Sequence, residues 1–574
     1  LGLKKVLSVV AWALAAGAAD VACAAPVAAE HGMVVTAQHL ASEVGVAVLR
    51  RGGNAVDAAV AVGYALAVVY PAAGNLGGGG FMTLQLANGH KAFIDFREKA
   101  PLAARADMYL GPDGAVVPGL STDGHLAVAV PGSVAGLELA RTRFGRLSRA
   151  AVIDPAIRLA EAGFVLDDGD AAMLATATEA FRHDPPSAAI FLHGNQPYGK
   201  GQRLVQKDLA RTLRRIRQQG PDGFYRGPVA AAIAASSRRG HGLITTQDLA
   251  QYTARELPPV ECDYRGLHIV SAPPPSAGGV VLCEMLNILE GYPLHDLGFH
   301  SAQAVHDEIE AMRHAYADRN ALLGDPSFVD NPVDHLLDKA YAVQVRSQIA
   351  PDRAGVSAVL KPGAPGMADH EGSNTTHYSV ADQDGNVVAV TYTLNNWFGA
   401  GVTAAGTGVV LNDEMDDFTV KVGAPNMFGL VQGSANAIAP GKRPLSSMTP
   451  TIVSRNGKPL MVVGTPGGSR IITTVLQTLL NVVDHGMDIQ AAVDAPRFHH
   501  QWLPDSTALE PFTLSADTRA LLERMGYTFT ETRPSGHVDA LLIGAPALDT
   551  RPLGANRFYG ANDARSPTGL ALGY

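Results

Sequence analysis

Cysteine is nearly absent, with 3 in 574 residues. One, Cys23, falls in a leader-like stretch, which leaves Cys262 and Cys283 for a mature chain. They are well separated and form no Cys-x-x-Cys, which argues against a structural zinc and a dithiol redox site. Whether they pair as a disulfide stays open. Lys/Arg blocks are also missing and the formal charge is −9, so nucleic acid is not an expected partner. A local arginine could still hold a small anionic substrate. There is no Gly-x-Ser-x-Gly, no His-Glu-x-x-His and no Walker A, which removes the usual support for serine hydrolase, zinc hydrolase and phosphate-loop chemistry. His499-His500 would point opposite ways on a strand, a poor metal pair. The acidic run Asp413 to Asp417 lacks an EF-hand pattern. No metal and no cofactor are expected.

Long hydrophobic runs are missing as well. The apolar stretch Val6 to Ala19 falls short of the roughly 20 residues of a spanning helix. Preceded by Lys4-Lys5 and followed by Ala22-Cys23-Ala24, it reads as a secretory signal over 1–24, predicting a periplasmic or secreted protein without a stable membrane span. An uncleaved anchor is the alternative.

What is present is a chain that changes style. With 47% hydrophobic residues it can bury one large core or two ordinary ones. The first half reads as mostly helical. Thr36 to Arg51 has helical spacing and stops at Gly52-Gly53, and Asn54 can cap an Ala/Val-rich helix ending at Pro71, apolar nearly all round and so buried. Gly77 to Gly80 suits close backbone packing better than a phosphate cradle. Phe81 to Leu86 and Lys91 to Phe96 form a hairpin around Asn88-Gly89, with Arg97 at its strand end, a candidate carboxylate clamp.

The second half is richer in strands. Thr376 to Asp382 and Val387 to Thr393 flank Asp384-Gly385 as a second hairpin, entered from a Pro/Gly-rich run, Lys361 to Asn374. Further strands are expected at Gly408 to Leu411, Thr449 to Ser454, Pro459 to Gly464, Val538 to Ile543 and Arg557 to Ala561. Thr375 stands where the loop meets the hairpin. A threonine hydroxyl needs a base beside it, and a free α-amine on the same residue can be that base. An ordinary loop entering an ordinary hairpin fits the same residues. His377, on the same strand face, could tune such a site or merely pack.

Gly464 to Ser469 leads from a strand into a helix, a place where backbone N–H groups can meet negative charge. Asp413 to Phe418 is either a solvated acidic turn or a carboxylate pair for a ligand ammonium. Ser446-Ser447 could donate to a carboxylate or cap a turn. Together these pieces suit an amino-acid ligand: arginine and hydroxyls for a carboxylate, carboxylates for an ammonium, and a glycine turn for a carbonyl oxygen.

Several runs then carry a resemblance in order and spacing. They include Arg51-Gly52-Gly53-Asn54-Ala55-Val56-Asp57, Asp95-Phe96-Arg97-Glu98, Pro131-Gly132-Ser133-Val134, Tyr316-Ala317-Asp318-Arg319, Thr375-Thr376-His377-Tyr378-Ser379-Val380, Pro444-Leu445-Ser446-Ser447-Met448 and Gly467-Gly468-Ser469-Arg470. Over nearly its whole length the chain resembles bacterial γ-glutamyltranspeptidases. The resemblance implies an α/β (α+β) four-layer αββα sandwich of the N-terminal-nucleophile hydrolase type. It also implies a precursor cut between Asn374 and Thr375 into a large subunit, 25–374, and a small catalytic subunit, 375–574, held as a heterodimer.

By the same resemblance Thr375 is the nucleophile and Thr393 its supporting threonine. Arg97, Ser446 and Ser447 bind the α-carboxylate, Asn395, Glu414 and Asp417 the α-amine, and Gly467 and Gly468 form the oxyanion hole. The partners are γ-glutamyl donors such as glutathione and amino-acid or peptide acceptors. Bacterial relatives often carry Gln where Glu414 stands, and Phe428 replaces the lid tyrosine of close relatives. Two alternatives stand beside this reading: a cephalosporin or glutaryl acylase on the same scaffold, and a non-catalytic periplasmic binder of glutamyl compounds.

Overall fold

The computed structural model describes residues 24–360 and 375–574. The leader and Asn374 therefore lie outside the described residues. Two seven-stranded sheets stack face to face. The first runs Val27–Ala29, Phe558–Asn562, Asp539–Ile543, Lys458–Val463, Thr451–Arg455, Leu267–Ser271, Val260–Tyr264. The second runs Leu570–Gly573, Met33–Thr36, Thr375–Ala381, Val387–Thr393, Gly79–Gln85, Lys91–Asp95, Arg255–Leu257. Small apolar side chains fill the space between them, among them Val35, Ala381, Ala389, Ile452, Val462 and Leu541.

Each sheet buries its outer face under helices, which completes the expected αββα sandwich. The helix Ala55–Val69 covers the second sheet and is buried along its whole length. Its uniform Ala/Val surface makes that possible, because small side chains let a helix lie close to a sheet and to other helices at once. Asn54 and Asp57 form a reciprocal cap at its start. Asp57 is fully buried because Arg146 and Leu147 also donate their backbone N–H to it, at 3.0 to 3.1 Å. The helices Gly278–Leu289 and Ile471–Val483 pack together over the first sheet. Cys262 and Cys283 are joined by a disulfide that ties the edge strand Val260–Tyr264 to the first of these helices.

Both expected hairpins form, with Thr375 directly opposite Thr393 and Phe81 opposite Asp95. Two expectations need correction. The helix expected from Thr36 begins at His39, capped by Gln38, because Met33–Thr36 is a strand paired with Tyr378 to Ala381 and with Leu570–Gly573. Gly408 to Leu411 reduces to the two-residue strand Val409–Val410, paired only with Thr403–Ala404. Of the two readings of the acidic turn Glu414–Asp417, the solvated one does not hold, since Glu414 and Asp416 are buried.

Candidate active site

Thr375 begins a strand whose seven residues are all buried, and it stands opposite Thr393 in the ladder. Its Oγ1 donates to Thr393 Oγ1 across the hairpin at 3.2 Å, and Thr393 Oγ1 also accepts the backbone N–H of Asn395 at 2.8 Å. The glycine run explains why this corner can close. A Cβ on Gly78 would stand 2.0 Å from the Thr393 carbonyl oxygen, and one on Gly80 2.4 Å from that of Thr391. Asn75 fixes the approach: its Nδ2 donates to the Thr393 oxygen at 2.8 Å, and its Oδ1 accepts from Gly78 N and from Ser133 Oγ. The Pro131 to Val134 run thereby supports the Thr375–Thr393 corner, its Gly132 N–H reaching Gly78 O at 2.7 Å.

Thr375 and Thr393 line a cavity of about 20 Å³ together with Arg97, Arg319, Asn395, Glu414, Asp417, Phe428, Ser446, Ser447 and Gly468. Each residue expected at the site lines this wall except Gly467, the turn residue preceding Gly468. Arg97 is completely buried and ion-paired with Glu414 and Asp417. It comes from the strand end beyond Asp95, whose Oδ1 accepts the Arg97 N–H at 2.9 Å, while its Nε donates to Pro444 O at 3.2 Å. Asn412 sets the acidic turn by accepting from Glu414 N at 3.0 Å and donating to Gly77 O at 2.7 Å.

Glu98, also fully buried, lies 3.6 Å from Arg97 NH1. Only a glycine leaves room for it at position 79, where a Cβ would meet its Oε2 at 2.6 Å. Three carboxylates thus face one guanidinium. Burial raises Glu98 to about 7 against the pull of Arg97, and burial with the neighbouring acids Glu98 and Asp417 holds Glu414 up as well. Such a group keeps a proton near neutrality and favours the arrival of a cation that replaces it.

The polar groups are turned to suit a zwitterion. Asn395 directs its Nδ2 toward Asp413 O at 3.1 Å and Met427 Sδ at 3.4 Å, which leaves Oδ1 as the side chain's acceptor. Ser446 Oγ accepts the Met448 N–H at 3.1 Å, so its own proton is available to donate. Gly467 and Gly468 have φ of 138° and 55°, in the region that favours glycine, and introduce the helix Ile471–Val483. Phe428 packs against this turn, where a Cβ on Gly468 would stand 2.4 Å from its ring, and its carbonyl accepts from Gln501 Nε2 at 3.1 Å. Phe428 is held there by packing and by that hydrogen bond through its backbone.

His377 is buried between the hydroxyls of Thr391 and Ser379, and burial lowers it to about 3. It packs as a neutral ring between the sheets. His499 and His500 are likewise buried and neutral, lowered by burial to about 3 and about 4. Two residues on or beside the wall had been quoted only as parts of matching runs, Glu98 and Arg319. For Arg319 a signal existed: Val305, Ile309, Met312, Tyr316 and Leu323 mark an apolar stripe, and Arg319 interrupts it.

The family described as Gamma-glutamyltranspeptidase has a model that matches residues 41–572. The glutathione hydrolase proenzyme of Pseudomonas sp. (strain A14) is 65% identical over 551 residues, covering 96% of this chain and 95% of that protein. The glutathione hydrolase proenzyme of Escherichia coli (strain K12) is 48% identical over 550 residues, covering 96% and 93%. Among solved structures, a cephalosporin acylase from Bacillus halodurans has a TM-score of 0.82 at 27% identity, covering 96% of this chain and 97% of that one.

Proposed function

We propose, for a chain that belongs to the gamma-glutamyltranspeptidase family, that Thr375 is the nucleophile that transfers γ-glutamyl groups from glutathione-like amides to water or to an amino-acid or peptide amine. The chain is an enzyme of the glutathione hydrolase type. The observation that carries the assignment to Thr375 is its hydrogen bond to Thr393 on the wall of a cavity whose other end holds Arg97, Glu414 and Asp417.

Cleavage between Asn374 and Thr375 would free an α-amine next to the hydroxyl, with a reference pKa of about 7.7 to 8.0, close to working pH. That amine takes the hydroxyl proton as Oγ1 bonds to the γ-carbonyl carbon. The backbone N–H groups of Gly467 and Gly468 hold the oxyanion, and one such donor contributes roughly 3 to 4 kcal/mol to the lowering of a barrier. When the C–N bond breaks, the proton passes to the leaving amine and a γ-glutamyl ester remains. Water or an acceptor amine, deprotonated by the same α-amine, then attacks the ester and releases Thr375.

At the other end the substrate's zwitterion would exchange with the internal ion pairs. Its ammonium takes Glu414, Asp417 and Asn395 Oδ1, and its carboxylate takes Arg97 with the two serine hydroxyls. Charged hydrogen bonds of about 1.5 to 3 kcal/mol each select this head over a plain acyl group. The predicted signal over 1–24 supports a periplasmic or secreted site of action, and no described helix is long and apolar enough to cross a membrane.

Intact-mass analysis of the purified protein tests the processing: two polypeptides are expected, the smaller beginning at Thr375. A single uncut chain that hydrolyses γ-glutamyl anilides would remove the free α-amine from the mechanism. The likeness to a cephalosporin acylase favours a second reading, acylase activity on the same scaffold. Faster release from a glutaryl anilide than from a γ-glutamyl anilide would select it.

A further inference from the structure

Two guanidiniums reach the cavity wall, and their surroundings differ. Arg97 is neutralised by Glu98, Glu414 and Asp417. Arg319 is 1% exposed, yet its polar contacts are neutral: NH1 donates to Asn320 Oδ1 at 2.8 Å and to Gln432 Oε1 at 3.3 Å, and NH2 to Ser447 Oγ at 2.8 Å. Its Nε has no hydrogen-bond partner. Among the described residues no carboxylate lies within ion-pair distance of it. A buried charge that lacks a counter-charge is costly, and here it sits at the edge of a cavity built for a carboxylate.

The contact with Ser447 gives that charge a direction. A hydroxyl has one proton and two acceptor sites. With one acceptor site of Ser447 Oγ filled by Arg319, its proton is free to point into the cavity beside that of Ser446, which is turned the same way by the Met448 N–H. We propose that Arg319 is a positioning residue that orients the Ser447 hydroxyl as a donor and supplies the second positive charge by which the site selects donors carrying an α-carboxylate. This rests on the γ-glutamyl reading above.

Three anilides that share a leaving group separate the possibilities. The γ-glutamyl anilide has both head groups, the glutaryl anilide keeps the carboxylate and lacks the amine, and the 4-aminobutyryl anilide keeps the amine and lacks the carboxylate. Arg319→Gln is expected to raise KM at least tenfold for the first two, to leave the third within about twofold, and to change kcat little. Arg319→Lys keeps a charge without the planar fork and should recover part of the loss. In a Ser447→Ala background the Arg319→Gln effect on the γ-glutamyl anilide should shrink to a few-fold, because the two residues act as one unit. Equal losses on all three anilides would assign Arg319 a purely structural role, and no loss on any would also overturn the proposal. If Arg319→Gln does not fold or mature, the three-anilide comparison on Arg319→Lys decides, and an unchanged KM ratio there refutes it. Failure of the wild-type protein to release anilide from the γ-glutamyl compound would instead overturn the underlying reading.

Discussion

The two ends of the cavity solve opposite problems. At the Thr375 end the hydroxyl donates to Thr393 Oγ1, and among the described residues no ionisable side chain is bonded to it. At the Arg97 end three carboxylates crowd one guanidinium, all with little or no exposure. The first end can therefore be neutral and rigid, held by backbone contacts that admit only glycine at 78 and 80. The second end stores charge that must rearrange when a ligand enters. A reactive hydroxyl needs fixed geometry, whereas recognition of a zwitterion needs counter-charges that can exchange partners.

Substitutions can break this contrast in graded steps. Thr375→Ala should have the largest effect, abolishing turnover and leaving a single uncut chain by intact mass; a cut, inactive protein would detach processing from this residue. Asp417→Ala should raise KM for a γ-glutamyl anilide by about 10- to 100-fold with a smaller change in kcat, as expected for one charged hydrogen bond of about 1.5 to 3 kcal/mol. An unchanged KM would remove Asp417 from recognition of the amine. Thr393→Val deletes a neutral hydrogen bond, and kcat should fall up to about tenfold while KM holds. An equal rise in KM would show that the two ends are not independent.

Acidification separates the two ends through KM, because protonating the Thr375 α-amine lowers kcat for every anilide alike. Glu98 is raised to about 7, so below that pH a proton remains on the carboxylate group and competes with the incoming ammonium. KM for the γ-glutamyl anilide should climb as pH falls below 7, by up to about tenfold per unit, and the glutaryl anilide, which has no ammonium, should not show the climb. Parallel pH profiles for the two would place the titration elsewhere. Smallest of all, Phe428→Tyr adds a hydroxyl at the lid while keeping the ring on Gly468; KM should shift by about threefold or less, and a tenfold shift would mean that the lid recognises substrate by hydrogen bonding rather than by packing.

The strands Thr375–Ala381 and Val387–Thr393 and their turn were legible because a hairpin is local: the alternation and the Asp384-Gly385 signal lie within a few residues. Thr36 reads as the start of a helix because the reason for the strand Met33–Thr36 to be extended is hundreds of residues away, in Tyr378 to Ala381 and in Leu570–Gly573. The acidic turn was ambiguous for the same cause. Asp413 to Asp417 fits a solvated turn and a carboxylate pair equally until Arg97, from the other half of the chain, is placed against it.

The sequence alone determined the elements that depend on near neighbours: the buried Ala/Val helix after Asn54, the two hairpins, the glycine turn before the helix at Ile471, and, through its ordered motifs, the family. Tertiary structure decided what depends on distant partners. It closed the disulfide between Cys262 and Cys283, folded the acidic turn into the interior, neutralised Arg97 and left Arg319 without a counter-charge among the described residues. The physical reason is that periodicity and turn chemistry act over one or two turns of chain. The state of a buried charge is set by whichever groups the fold brings within a few ångströms, and spacing along the chain carries no trace of them.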